Sequence, residues 1–304
     1  MILGFCTRQY LQGPLPIAPT YDKLLKARIE TQSRAGLYTN IMKLTGNTIF
    51  ITGGGSGIGL AFVKRFLERG NKVIVCGRRA EVLAEVKESY PELITHVCDL
   101  AEPAARENMA SWLVSEHPDL NIVVNNAGIQ RSVDLSADED WTATHQEIAI
   151  NLEAPIHLSR LLYPHLAAKT NPAILNVTSG LSFMPLANVP VYCATKAALH
   201  SFTLSLRRQL ADTGIEVIEI IPPAVDTDLQ APGLHTFGVD VDVFADDIFL
   251  GLERGQQEVA YGTALQASRA TRDQLDAIFD NMNSTLSWPS HPAPAETSQR
   301  PASS

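Results

Sequence analysis

The chain has 304 residues, 45% apolar and 19% charged, enough apolar mass for a large buried core. Its formal net charge of −9 repels phosphate backbones and argues against nucleic acid as a partner. No apolar run approaches the roughly 20 residues that a membrane-spanning helix needs, so no membrane partner is expected.

Residues 1–41 carry Arg8, Lys23, Lys26, Arg28 and Arg34 against Asp22 and Glu30. Two readings stand: a transit peptide, or a flexible extension over 1–42. Gly13-Pro14-Leu15-Pro16 favours the extension, because it breaks any long amphipathic helix. Met42 directly precedes the first folded segment and is a conceivable downstream start. From there the pattern alternates. Short β-branched or apolar runs predict strands at 48–52, 72–76, 94–97, 122–125, 173–178, 216–221 and 258–261. Between and after them, helical spacing predicts helices at 58–69, 80–89, 104–116, 191–212, 244–254 and 268–281. A long helix is predicted over 140–166, with Pro155 and Pro164 able to bend or trim it. The Pro-, Ser- and Ala-rich segment 284–304 reads as a disordered tail.

Strand alternating with helix implies right-handed crossovers and a parallel sheet, and the continuous apolar strands imply that both faces are covered. The expected fold is therefore α/β: one doubly wound (Rossmann) domain over 43–283, with about seven parallel strands and helices on both faces. Cys6, Cys76, Cys98 and Cys193 form no C-x-x-C pair or Cys/His cluster, and the eight histidines show no metal-ligand spacing. Free thiols fit a reducing, cytoplasmic compartment, and no metal is expected.

Thr52-Gly53-Gly54-Gly55-Ser56-Gly57-Ile58-Gly59 joins the first strand to the first helix. There, glycines permit a tight turn, approach to a pyrophosphate and close helix–strand packing, and the helix N-terminus favours the anion. A carboxylate for a ribose 2′-hydroxyl is missing at the end of the second strand, where Arg78 and Arg79 stand instead. A guanidinium can grip a 2′-phosphate, so NADP(H) is expected ahead of NAD(H). Asp99, with Leu100 after the third strand, could meet the adenine amine, cap the following helix, or both.

Tyr192 and Lys196 stand at i and i+4, on one helix face. An ammonium there favours the phenolate and makes the pair a general acid/base for an alcohol hydroxyl. Ser179, just before that helix, can donate to a substrate oxygen. Asn151 is a polar residue in apolar surroundings, either a satisfied core amide or the holder of a relay water.

With Asn125-Asn126-Ala127-Gly128 after the fourth strand, these residues resemble the classical short-chain dehydrogenases/reductases from about 43 to 281. The resemblance implies that Tyr192 exchanges the proton, that Lys196 lowers its pKa and binds the nicotinamide ribose, that Ser179 orients the carbonyl and that Asn151 supports the relay. It also implies that Asn126, Ala127 and Gly128 shape the adenosine side. Pro222, Val225 and Thr227 would face the nicotinamide amide, although Pro223 stands where the family has glycine. The double proline, Gly128-Ile129-Gln130-Arg131 and Tyr261-Gly262 are similar to the bacterial DltE-like subgroup. A homodimer or homotetramer is the implied assembly. The expected substrate is a small, apolar carbonyl/alcohol pair, in a pocket of Leu181, Phe183, Met184 and Leu186 under a lid at 229–237. Two other readings remain: an epimerase or dehydratase that retains its nicotinamide, and a non-catalytic dinucleotide sensor.

Overall fold

The computed structural model describes residues 42–134, 140–231 and 233–284. The expected extension and tail therefore lie outside the described residues, apart from Met42 and Ser284. Seven strands form one parallel sheet: β1 (Thr48–Thr52), β2 (Lys72–Gly77), β3 (Ile94–Val97), β4 (Leu120–Asn125), β5 (Ala173–Val177), β6 (Glu216–Ile221) and β7 (Glu258–Ala260). Their order is β3-β2-β1-β4-β5-β6-β7. The chain thus winds outward from β1 to one edge, returns, and winds from β4 to the other. At this reversal the loops after β1 and β4 diverge and leave a crevice.

Every residue of β1 and β4 is buried, as a doubly covered strand requires. Alternate side chains feed two cores. Ile49 and Ile51 join a core with Phe62 and Phe66 of α1 (Gly57–Glu68), Leu83 of α2 (Ala80–Ser89) and Phe244 and Phe249 of α7 (Val241–Glu253). Phe50 joins the other, with Met109 and Leu113 of α3 (Pro103–Glu116), Leu158 and Leu162 of α5 (Ala154–Leu166) and Leu206 of α6 (Pro190–Gln209). Arg65 fastens α1 to α7, pairing with Asp242 at 3.0 Å and Asp246 at 2.7 Å.

Two expectations need correction. The helix over 140–166 is not continuous: α4 (Trp141–Ile148) leads into a π turn (Ala149–Glu153), and α5 follows. Pro155 has no N–H for the carbonyl of Asn151, so the ordinary ladder loses a bond where the turn widens. The helix expected over 268–281 begins instead at Arg272, as α9 (Arg272–Asn283), and a separate helix that was not expected, α8 (Gly262–Arg269), precedes it. Ala270 is extended, and Thr271 with Gln274 forms a capping box that starts the second helix.

Candidate active site

The site is assembled at the C-terminal ends of β1, β2, β4, β5 and β6. Gly53 turns the chain out of β1 at φ +67°, a backbone conformation open to glycine. A Cβ on Gly53 would lie 3.0 Å from the Ala127 Cα, and one on Gly59 only 2.3 Å from the Gly53 carbonyl oxygen. Side chains of Thr52 and Asn126 hold this turn. The Thr52 hydroxyl accepts the N–H groups of Asn126 and Ala127 at 2.9 and 3.0 Å, and the Asn126 amide donates to the Thr52 carbonyl at 2.9 Å. Ser56 precedes α1 without a side-chain cap, and no acidic residue occupies the first turn. The N-terminus of α1 is thus suited to an anion, and the shape of the cradle fits a dinucleotide pyrophosphate.

Arg78 and Arg79 are exposed beyond β2 and form no ion pair among the described residues. Asp99 accepts the N–H of Ala101 at 3.0 Å, so its carboxylate organises the turn through Leu100 toward α3. On the opposite side of the cradle, Gly57 and Thr227 border a groove of about 350 Å³, also lined by Leu60, Lys64 and Asp226. None of Asn151, Ser179, Tyr192 or Lys196 lines it.

Those four residues gather on the other side of β4. The Lys196 ammonium donates to the Val177 carbonyl at 2.8 Å and lies 5.7 Å from the centre of the Tyr192 ring. Burial pulls the Lys196 ammonium down to about 8 and pushes the Tyr192 phenol up. The nearby Ser179 hydroxyl opposes the shift at Tyr192 without cancelling it. Tyr192 therefore rests as a phenol, ready to give a proton. Ser179 also accepts the Leu181 N–H at 3.1 Å, at the start of a short 3₁₀ turn (Gly180–Ser182). The neighbouring Gly180 N–H donates to Pro222 at 2.8 Å and ties β5's end to β6's.

Asn151 uses its amide fully. Its oxygen accepts the Ile129 N–H at 2.8 Å, and its nitrogen donates to the Ile129 carbonyl at 2.7 Å and to Thr195 Oγ1 at 3.3 Å. Gly128 fits between two of these groups: a Cβ there would lie 3.5 Å from both Asn151 Oδ1 and Lys196 Nζ. Val225 is buried and bridges to Val239, so the segment between them is an excursion with its two ends held together.

Residues 47–236 match the family described as short chain dehydrogenase. The uncharacterized oxidoreductase DltE of Bacillus subtilis is 47% identical over 248 residues, 80% of this chain and 98% of DltE. The NADP-dependent 3-hydroxy acid dehydrogenase YdfG of Escherichia coli is 33% identical over 181 residues, 58% of this chain and 72% of YdfG. A short chain dehydrogenase of Burkholderia cenocepacia, solved in complex with NADP, has a TM-score of 0.69 at 27% identity, over 78% of this chain and 99% of that one. The chain belongs to the short-chain dehydrogenase family. It is an oxidoreductase similar to DltE.

In this short-chain dehydrogenase the pocket residues expected from the sequence divide. Leu181, Leu186 and Leu229 pack against Val189, Tyr192 and Cys193. Phe183 meets His200 edge-on, with ring centres 4.7 Å apart, and Met184 is buried near Gly180. Of the expected lid, Pro232 lies outside the described residues, whereas Leu234 and Phe237 are exposed, the latter by 76%. Three participants escape the sequence reading. Thr195, between Tyr192 and Lys196, receives the Asn151 amide. Glu219, fully buried in β6, accepts from Thr178 at 2.7 Å and pairs with His200 at 2.9 Å. Glu147, fully buried in α4, has no hydrogen-bond partner at either oxygen among the described residues. A carboxylate four residues before Asn151 in an apolar run was the available signal. No group of three or more potential metal ligands occurs among the described residues, and no helix among them is long and apolar enough to cross a membrane.

Proposed function

We propose that the protein is an NADP(H)-dependent reductase of small, largely apolar carbonyl compounds, with the corresponding alcohol dehydrogenation as its reverse. The observation that carries this reading is the buried Tyr192–Lys196 pair: an ammonium 5.7 Å from the phenol ring and anchored on Val177, beside Ser179. The dinucleotide supplies or accepts the hydride when bound. The Tyr192 phenol gives its proton to the carbonyl oxygen, toward which Ser179 donates a hydrogen bond. Lys196 restores the proton, and Asn151 holds the Gly128–Ile129 backbone beside it. The cradle from Thr52 to Gly59 would bind the pyrophosphate, with Val225 and Thr227 toward the nicotinamide.

The preference for the 2′-phosphate rests on exposed Arg78 and Arg79 at a position without a carboxylate, and it agrees with the NADP named for YdfG and for the Burkholderia structure. Leu181, Leu186 and Leu229 beside Tyr192 supply the apolar character, with the loop to Phe237 as a lid. Exposed Ile156 and Tyr163 on α5 and Leu204 on α6 support a homodimer or homotetramer, which light scattering reads directly.

Fluorescence titration with NADPH and NADH tests the cofactor. Arg78→Ala should weaken NADPH by about 10- to 100-fold and leave NADH nearly unchanged, the value of a charge-assisted hydrogen bond. Equal losses for both, or none, would overturn the 2′-phosphate assignment. A panel of ketones and aldehydes with NADPH then reads the substrate class.

A further inference from the structure

Glu147 has no part in the reading above, yet it is among the most deeply enclosed polar groups in the protein. Its residue is 0% exposed, and among the described residues neither carboxyl oxygen has a hydrogen-bond partner. A buried carboxyl left unpaired is costly, so its retention calls for a reason.

Its position supplies one. α4 and its π turn pack against α6, and their register is marked by Asn151 Nδ2 donating to Thr195 Oγ1. One turn earlier on each helix stand Glu147 and Tyr192. Burial is the main cause that holds the Tyr192 phenol and the Cys193 thiol protonated, and the charge of Glu147 adds a smaller push in the same direction at each. From the segment after β4, the guanidinium and backbone N–H of Arg131 draw Glu147 toward ionisation, but neither makes a well-formed hydrogen bond with it. The Arg131 guanidinium is engaged instead by the Ala143 carbonyl at 2.8 Å and Gln146 Oε1 at 2.6 Å. Among the described residues, Arg131, Tyr192 and Cys193 are charged and titratable groups that couple to Glu147.

We propose that Glu147 is a positioning residue for proton transfer: its carboxyl group, the buried side chain of the helix that packs against the Tyr192 helix, biases the enzyme toward donating a proton to a carbonyl. The proposal rests on the assignment of Tyr192 as the acid/base. Carbonyl reduction uses the phenol, whereas alcohol oxidation uses the phenolate. Burial raises the Glu147 carboxyl to about 7, so a negative charge develops on the helix facing that of Tyr192 as the pH rises past neutrality. A phenolate that feels a buried carboxylate is disfavoured by like-charge repulsion, so the oxidation limb is pushed to higher pH.

The test is Glu147→Gln, which removes the charge and keeps the shape. Two profiles are measured against wild type. One is the pH dependence of alcohol oxidation with NADP⁺, using the best alcohol of the panel. The other is the tyrosinate absorbance of the NADP⁺-saturated protein, taken as the difference from the matching Tyr192→Phe background, which needs no turnover. Both midpoints should move to lower pH by about half to one unit. Should the glutamine variant not fold, Glu147→Met provides the same neutral replacement with an apolar group of similar length. Unmoved midpoints in a variant that binds NADPH normally would overturn the proposal. If Tyr192→Phe kept full turnover, the acid/base assignment itself would fail. If it were inactive while Glu147→Gln left both midpoints in place, the role of Glu147 alone would fail.

Discussion

The Asn151 side chain pairs with the backbone of Ile129 as a neighbouring strand would, accepting its N–H at 2.8 Å and donating to its carbonyl at 2.7 Å. One side chain thus fixes the segment that leaves β4 against the π turn, with Gly128 held between Asn151 Oδ1 and Lys196 Nζ. Asn151→Ala would leave the partly buried Ile129 N–H and C=O unpaired. The expected cost is about 1–3 kcal/mol for each orphaned group. Urea unfolding would read this as a lower midpoint, and turnover should fall with it. A variant with unchanged midpoint and rate would show that the pairing holds nothing in place.

Tyr192→Phe removes one oxygen and keeps the ring. Turnover should drop by about 10²- to 10⁴-fold, the usual contribution of a positioned acid/base. NADPH binding should persist, because Tyr192 is no part of the Thr52–Gly59 cradle that would hold the pyrophosphate. Steady-state rates beside a fluorescence titration separate the two effects.

Gly59→Ala places a methyl group 2.3 Å from the Gly53 carbonyl oxygen and 2.6 Å from the Asn126 amide nitrogen. Neither can yield without opening the cradle, since Asn126 also holds Thr52. Overpacking of this kind costs about 1–3 kcal/mol. A lower Tm together with weakened NADPH binding is expected, and normal binding would place the pyrophosphate elsewhere.

The His200–Glu219 pair predicts a pH-dependent stability. The hydrogen bond and charge of Glu219 raise the His200 pKa above its ordinary value, against burial and Arg207. Because the folded value is the higher one, the pair's contribution is complete below the unfolded pKa of about 6.5 and is lost as the pH rises through the folded value. His200→Gln should therefore lower Tm more at about pH 5.5 than at about pH 8.5. An equal difference at both values would mean that His200 is neutral throughout.

Much of this protein was legible along the chain. The central strands β1, β4 and β5 lie where the apolar runs stand, because a strand covered on both faces has no polar side to disguise it. The glycine cradle and the Tyr192/Lys196 spacing were equally readable, since each is a local geometry spanning one turn or one loop. Less legible was the helix after β4. Helical spacing continues unbroken through Asn151, and only Pro155 marks the place where the ladder loses a bond. The start of α9 was placed too early for a similar reason: helical spacing runs back to Ser268, and the Thr271–Gln274 box outweighs that continuity.

The sequence by itself determined the α/β alternation, the anion cradle and the residue types needed for proton transfer, because these depend on neighbours within a few positions. Only the tertiary structure decided what those residues touch. Asn151 meets partners 22 and 44 residues away, and His200 meets Glu219 19 residues away. Whether a buried amide is satisfied, or a buried carboxyl charged, depends on groups that only the folded sheet and its crossovers bring together.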